Sequence, residues 1–348
     1  MYNNIPTPDA IPVNWIWFQG LLIFTFILHL LFMNLILGGS LIAIWDNVIK
    51  KRQLPGVRNL PIILALTINL GVPPLLFVQV LYGHLFYSSS IVMAIPWLLV
   101  IPILILAYYG SYIYVKNIER SPIWAKASLF ISALFLLYVG FMYVNNSTLA
   151  INPANWGKYF DKPGGTSLNL GEPTIWPRYL HFIIAALSVA TLAIAIYAEI
   201  SLKDNTEERD KIIVLNMKRF AWLTIAQFAI GTWFWLSNPK DIYMVFMGGN
   251  IVATAFMVLA WLMAISMVVS AFRKKIKATM IHVLVIIVLM VSIREFLRSA
   301  WLRDIFTPGS LEVSKEITPF IAFLLVFAAG IFSLYYMYRL ATEKTDKS

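Results

Sequence analysis

The chain predicts an all-α, polytopic membrane helical bundle, and three observations carry that expectation. Of 348 residues, 60% are hydrophobic and only 13% charged, far more apolar material than the core of a soluble protein uses. Apolar runs long enough to cross a hydrocarbon core of ~30 Å recur about nine times along the chain. The Lys and Arg behind the net charge of +10 sit mostly in alternate loops. That is the pattern of topogenic charge, and it removes any need to invoke a nucleic-acid partner.

The first apolar segment, 15–48, is longer than a bilayer needs and is expected to tilt or protrude. Before it lie Pro6, Pro8, Asp9 and Pro12, with no basic stretch or cleavage site of a signal peptide. The second segment, 59–83, contains Gly71-Val72-Pro73-Pro74, and the third, 90–116, contains Pro96 and Pro102. Prolines at such depths need neighbouring helices to re-satisfy the backbone. Segment 123–145 leads into 146–176, the only long connection. Rich in Asn, Gly and Pro and edged by Trp156 and Trp176, it reads as a folded cap over the outer face. Segments 177–202, 215–237, 242–272, 277–301 and 318–340 complete the set.

Loop charge then sets an orientation. Lys50, Lys51, Arg52 and Arg58 lie in the first connection, and Lys116, Arg120 and Lys126 at the third. The fifth carries Lys203, Arg209, Lys211, Lys218 and Arg219 among four acids, and the seventh Arg273, Lys274, Lys275 and Lys277. These, with the C-terminal tail, read as cytoplasmic. The expectation is one membrane domain over 1–348 in the inner (cytoplasmic) membrane, N-terminus outside and C-terminus inside.

Chemistry must come from few residue types. Cysteine is absent, which excludes disulfides, thiolate-held iron–sulfur clusters and covalently attached haem. A redox role would need His, Met or carboxylate ligands to a non-covalent cofactor. No phosphate-binding glycine loop, zinc-type His/Glu pair or nucleophile constellation is present. All four histidines, His29, His84, His181 and His282, lie in or beside apolar segments. A lone apolar-face histidine is more often a packed core residue than a ligand. Depth favours three of them: His84, His181 and, with the slack of the first segment, His29 fall in the outer half, as does Met244; His282 alone falls on the inner side. Met244 is a weak signal among 13 methionines, most of which are packing.

The richest stretch is Ser292-Ile293-Arg294-Glu295-Phe296-Leu297-Arg298-Ser299-Ala300-Trp301. An ionisable side chain inside a bilayer is costly and marks a functional site by default. Arg294 and Arg298 are i,i+4 neighbours, and Glu295 is i,i+3 from Arg298, so the three can share one side of a helix. Trp301 fits the interface, with Glu295 roughly 9 Å deeper by the helical rise. The bland reading is a helix end whose arginines snorkel to lipid phosphates. The functional one is a buried carboxylate beside arginines that neutralise a cofactor's anionic groups.

Taken together these stretches resemble subunit I of the cytochrome bd-type quinol oxidases, distantly but over most of the chain. Leu28-His29-Leu30-Leu31-Phe32 with Leu37-Gly38-Gly39 resembles the family's first-helix motif, whose histidine serves a high-spin haem. Asn69-Leu70-Gly71-Val72, with Gly83, resembles its second helix, and Asn152-Pro153 its Asn-Pro loop. Arg178-Tyr179-Leu180-His181-Phe182 is similar to the helix whose histidine ligates low-spin haem b, and Met244-Val245 with Gly248 to the pattern supplying that haem's methionine. Glu295-Phe296-Leu297-Arg298-Ser299-Ala300-Trp301 resembles the box whose glutamate serves a second high-spin haem.

The resemblance implies His29, His181, Met244 and Glu295 as ligands of haem iron, with Arg294, Arg298, His84 and Trp301 lining the cofactor. It implies haem b, one to three groups, with haem d open for the high-spin positions. Expected partners are a quinone or quinol, the lipid bilayer, and a second membrane subunit, an outer-face cytochrome, or both. The departures also matter. The family's long quinol loop between helices six and seven is reduced to Ser237–Asp241, the third helix carries no carboxylate, and Ile242 replaces an arginine before the methionine. The expected function is electron transfer between the quinone pool and a redox partner at the outer face, as a subunit of a quinol-dependent oxidoreductase. A reduced quinol:oxygen oxidoreductase and a haem-free transporter or structural subunit stay open beside it.

Overall fold

The computed structural model describes residues 5–50, 55–161, 163–314 and 316–345; Lys51 and Arg52 of the first charged loop lie outside them. These residues form an all-α membrane bundle, with long helices running alternately between two ends. The folded segment 151–174 covers one of these, here called the cap end.

Helix α1, Trp15–Ala43, starts where the Asn14 side chain accepts a hydrogen bond from the Ile16 amide at 3.0 Å, an N-cap. It runs into a π-helical turn, Ile44–Ile49. Helix α2, Leu60–Val92, opens with a proline in its first turn, where the missing N–H costs nothing. It continues through Pro73 and Pro74 to Val92, well beyond the expected end at residue 83. The irregular residue lies further on, at Tyr82 (φ −132°, ψ 22°). The third segment is divided into α3, Ala94–Leu98, and α4, Val100–Asn117. Then follow α5, Pro122–Ala150; a short α6, Lys158–Asp161; and α7, Ile175–Ser201.

Helix α8, Thr206–Leu236, departs most from expectation. The charged stretch assigned to the fifth loop is its first half, so the true connection is only Leu202–Asn205. The cause is a capping exchange: Asn205 Oδ1 accepts from the Glu208 amide at 3.2 Å while its side-chain amide donates to the Glu208 carboxylate at 2.9 Å. Arg219 is therefore no loop charge. It lies within α8 and forms a two-pronged pair with Asp46, at 2.5 and 2.6 Å.

The seventh segment is also divided. Helix α9, Lys240–Tyr243, passes into a 3₁₀ turn at Met244–Phe246, and the long helix α10, Ile251–Phe272, starts only after Gly248-Gly249-Asn250. Gly248 takes φ +104°, which an L side chain rarely adopts. Helices α11, Ile276–Leu302, and α12, Ile317–Thr345, close the chain.

Among the described residues, α1, α2, α3 with α4, α5, α7, α10 and α11 are long and apolar enough to cross a bilayer, seven units in all. The remaining expected segments are α8, whose first half is charged, and α12, apolar over Ile317–Ser333. Side chains such as Ile62, Ile101, Leu262 and Val288 point outward from the bundle, as lipid contact requires.

Helix α1 packs between α2 and α7, and α7 packs along α8; α4 pairs with α5, and α10 with α11. The α1–α7 contact rests on Gly38: an added Cβ would overlap the Ala186 carbonyl and lie 2.8 Å from the Ala190 Cβ. Small residues at such a crossing let backbones approach where no hydrophobic effect drives association. At the cap end, Trp156 is buried and its indole N–H donates to the Leu149 carbonyl at 2.9 Å. The Asn169 amide meets Asn145 Oδ1 at 2.9 Å, and the Asn169 side chain reaches Thr148 and Asn155. Asn145 thereby satisfies the buried backbone amide of Asn169. The connection between α5 and α7 is shorter than the expected 146–176, since 146–150 belong to α5 and 175–176 to α7.

Candidate functional site

Near the cap end, α11 brings Glu295 into the bundle beside α1 and α2. Glu295 Oε1 accepts from Arg294 Nη1 at 2.7 Å, and Oε2 accepts from Arg298 Nη1 at 2.9 Å and from Gln19 Nε2 at 3.0 Å. The side chain of Glu295 is 12% exposed and that of Arg298 10%. A carboxylate this far out of water is tolerable only when paired and hydrogen-bonded, and both oxygens are. Arg298 does not snorkel, whereas the Arg294 side chain is 37% exposed. The Arg294 guanidinium lies 4.6 Å over the Phe26 ring, and that of Arg298 4.6 Å over Tyr82, cation–π contacts that supplement the pairing with Glu295. Sequence spacing predicted the α11 triad. It did not reveal Gln19, Phe26 or Tyr82, although a lone glutamine within the first apolar run was a visible signal.

His29 belongs to the same neighbourhood through Phe26, whose ring centroid is 6.4 Å from its own. It lies 14 residues after Trp15 in α1 and faces Thr67, only seven residues into α2. That is midway along α1. Its Nδ1 is 3.1 Å from the Thr67 carbonyl. A carbonyl oxygen only accepts, so Nδ1 carries the proton and Nε2 keeps the lone pair in the neutral ring. A Cβ on Gly71 would lie 2.8 Å from His29 Cε1, so glycine there makes room for the imidazole.

His181 lies six residues into α7 against α8. Gly231 leaves the space its ring occupies, since an added Cβ would be 3.1 Å from Cε1. Gln227 Nε2 donates to the His181 carbonyl at 2.9 Å, and the Phe234 ring centroid is 6.4 Å from the imidazole. One turn earlier, Arg178 stacks 5.0 Å over the same Phe234. Its Nη1 donates to Ser147 Oγ at 3.3 Å.

Met244 is not at the head of a long helix, as the sequence suggested. It is in the 3₁₀ turn after α9 and is 40% exposed, while Met247 is 55% exposed. The turn adjoins α8 and α11 through the apolar cluster in which Phe234 and Val245 pack with Ile242, Phe246, Ile293 and Leu297. Trp301 packs here too, and its Nε1–H donates to Asn238 Oδ1 at 3.0 Å. His84 stands apart on α2, edge-on to Phe306 at 4.4 Å, and Phe306 in turn meets Tyr82. His282 is at the opposite end, with Nε2 3.0 Å from Ser266 Oγ.

The arrangement thus gathers Glu295, Arg294, Arg298, Gln19 and, through Phe26, His29. Beside Phe234 it gathers Arg178 and His181. A separate cavity of about 190 Å³ opens between Asn152, Asp241, Trp301 and Asp304, smaller than the ~300–1,000 Å³ of typical organic-ligand pockets. Among the described residues, no three His, Cys, Asp or Glu side chains converge as a metal cage would require. No family model, curated protein or solved structure matches the chain.

Proposed function

We propose that this chain is a haem-binding electron-transfer subunit resembling subunit I of the cytochrome bd-type oxidases. It would sit in the inner membrane, N-terminus and cap outside, and pass electrons between the quinone pool and a redox partner at the outer face. The observation that carries the reading is the buried Glu295 held between two guanidiniums, one aromatic ring away from a histidine of fixed tautomer.

The residues fit the group in three respects. His29 donates through Nδ1 to the Thr67 carbonyl, the outer-shell bond that orients a ligating imidazole and leaves Nε2 for a metal. His181 is set in a glycine-lined slot with Nδ1 buried and unpaired. The arginines near the cap end outnumber Glu295 and offer compensation to anionic groups. A bound haem supplies one-electron chemistry at its iron, and the protein supplies position and charge. His29 and His181 would hold iron through Nε2, Glu295 would ligate or neighbour a further iron, and Met244 would pair with His181.

Proton supply argues against oxygen reduction. Helices α2, α4 and α5 contain no Asp or Glu, Asp46 is paired with Arg219, and His282 is bound to Ser266. Relays across a membrane are usually built from acids, histidines and water. Protons from quinol would therefore leave at the cap face. The test is a reduced-minus-oxidised spectrum of the purified chain, followed by oxygen uptake with a reduced quinol. A b-type haem spectrum with negligible uptake is expected. A haem-free protein would sink the reading in favour of a transporter or structural subunit, and rapid uptake would restore the oxidase.

A further inference from the structure

Arg178 is a buried cation with donors to spare. Its Nε and Nη2 have no hydrogen-bond partner, and neither has Nδ1 of His181, one turn further along α7. Both side chains flank the Phe234 ring. Leaving two guanidinium donors buried and unmatched is costly, because the group is charged. Charge pairing points the same way. Arg294 and Arg298 are both paired with Glu295, whereas Arg178 has only the Ser147 hydroxyl.

We infer that Arg178, with His181 Nδ1–H beside it, binds one anionic oxygen group, a carboxylate or phosphate, between α7 and α8. A guanidinium edge formed by Nε and Nη2 is the two-donor fork that takes such a group side-on. The group meets the guanidinium charge and satisfies its orphan donors together. Arg178, not Arg294 or Arg298, is then the anion-holding arginine of this region. Where the anion is a carboxylate of a bound haem, the inference rests on the function proposed above; a lipid headgroup or free phosphate would satisfy the same chemistry.

The full chain is purified and tested in three arms, each with the unaltered protein, Arg178→Met, Arg178→Lys and the surface control Arg303→Met. Thermal unfolding is followed against inorganic phosphate at constant ionic strength. It is repeated in nanodiscs of phosphatidylglycerol or phosphatidylcholine. Haem and its dimethyl ester, whose carboxylates are blocked, are then titrated into the protein. The expected result is an anion-specific gain in one arm, weakened roughly tenfold or more by Arg178→Met, partly kept by Arg178→Lys and untouched by Arg303→Met. If haem and its ester bind the unaltered protein equally well and neither other arm shows a gain, the inference fails while the haem reading stands. A gain confined to phosphate or phosphatidylglycerol, with no haem bound, supports the anion site and removes the haem. A gain that survives Arg178→Met overturns the assignment. Should Arg178→Met fail to fold, Arg178→Lys carries the test alone: an undiminished gain would contradict the fork.

Discussion

Two groups of buried charge sit towards opposite ends of this bundle, and they are built differently. At the end away from the cap, Asp46 is 0% exposed and presents both oxygens to the Arg219 fork. One cation meets one anion, and the pair ties the turn after α1 to the middle of α8. Near the cap end, Glu295 is shared by Arg294, Arg298 and Gln19, while Arg178 nearby keeps two nitrogens unmatched. A closed pair behaves as a clamp. An open cluster with surplus donors stores binding capacity and is the better candidate for a site.

The comparison breaks most readily at the clamp. Asp46→Asn or Arg219→Met alone would leave one buried charge without its partner and should cost about 3–5 kcal/mol. The double variant Asp46→Leu, Arg219→Met should recover most of that loss, because it removes both charges. Unfolding in detergent measures all three. Single variants as stable as the parent would show that the pair is no clamp. Glu295→Gln should cost less in stability, about 2–3 kcal/mol, because the rings of Phe26 and Tyr82 still support the arginines. It should cost more in function, with altered haem content or spectrum. A fully retained spectrum would count against Glu295 as ligand or close partner of a haem.

The helix contact that sets the frame for both groups can be probed at glycine. Gly38→Val should separate α1 from α7 and cost about 1–3 kcal/mol, since an added Cβ meets the Ala186 backbone. Gly20→Val, with nothing within 4 Å of its added Cβ, should be nearly neutral. Equal effects would mean that Gly38 does not set the crossing. The smallest effect belongs to the exposed pair Arg58–Glu119. Arg58→Ala should leave stability unchanged within about 0.5 kcal/mol, and a larger loss would place that charge in a network.

Sequence legibility differed between these regions for physical reasons. The apolar segments were readable because length and composition are local properties. The fifth connection was misread because a run of Lys, Arg, Glu and Asp looks like a loop, although Asn205 and Glu208 already carried a capping signature. The break after Met244 was hidden inside an apolar run, yet Gly248-Gly249-Asn250 announced it. The Arg294–Glu295–Arg298 spacing was legible because helix periodicity puts i, i+3 and i+4 together. The Gln19–Glu295 contact spans 276 residues of sequence, and no periodicity reports it. The unmatched state of Arg178 is a property of everything packed around it, so only the fold could reveal it.

The central claim is that the open cluster near the cap end serves a haem while the opposite end serves stability. A pyridine haemochrome assay, read as haem per protein on the purified full chain, tests it most directly. The account predicts one to three haems per chain, reduced in His29→Ala, His181→Ala and Glu295→Gln. Asp46→Leu with Arg219→Met should leave the ratio unchanged. A ratio near zero for the unaltered protein, or one that falls only when the Asp46–Arg219 pair is removed, would contradict it.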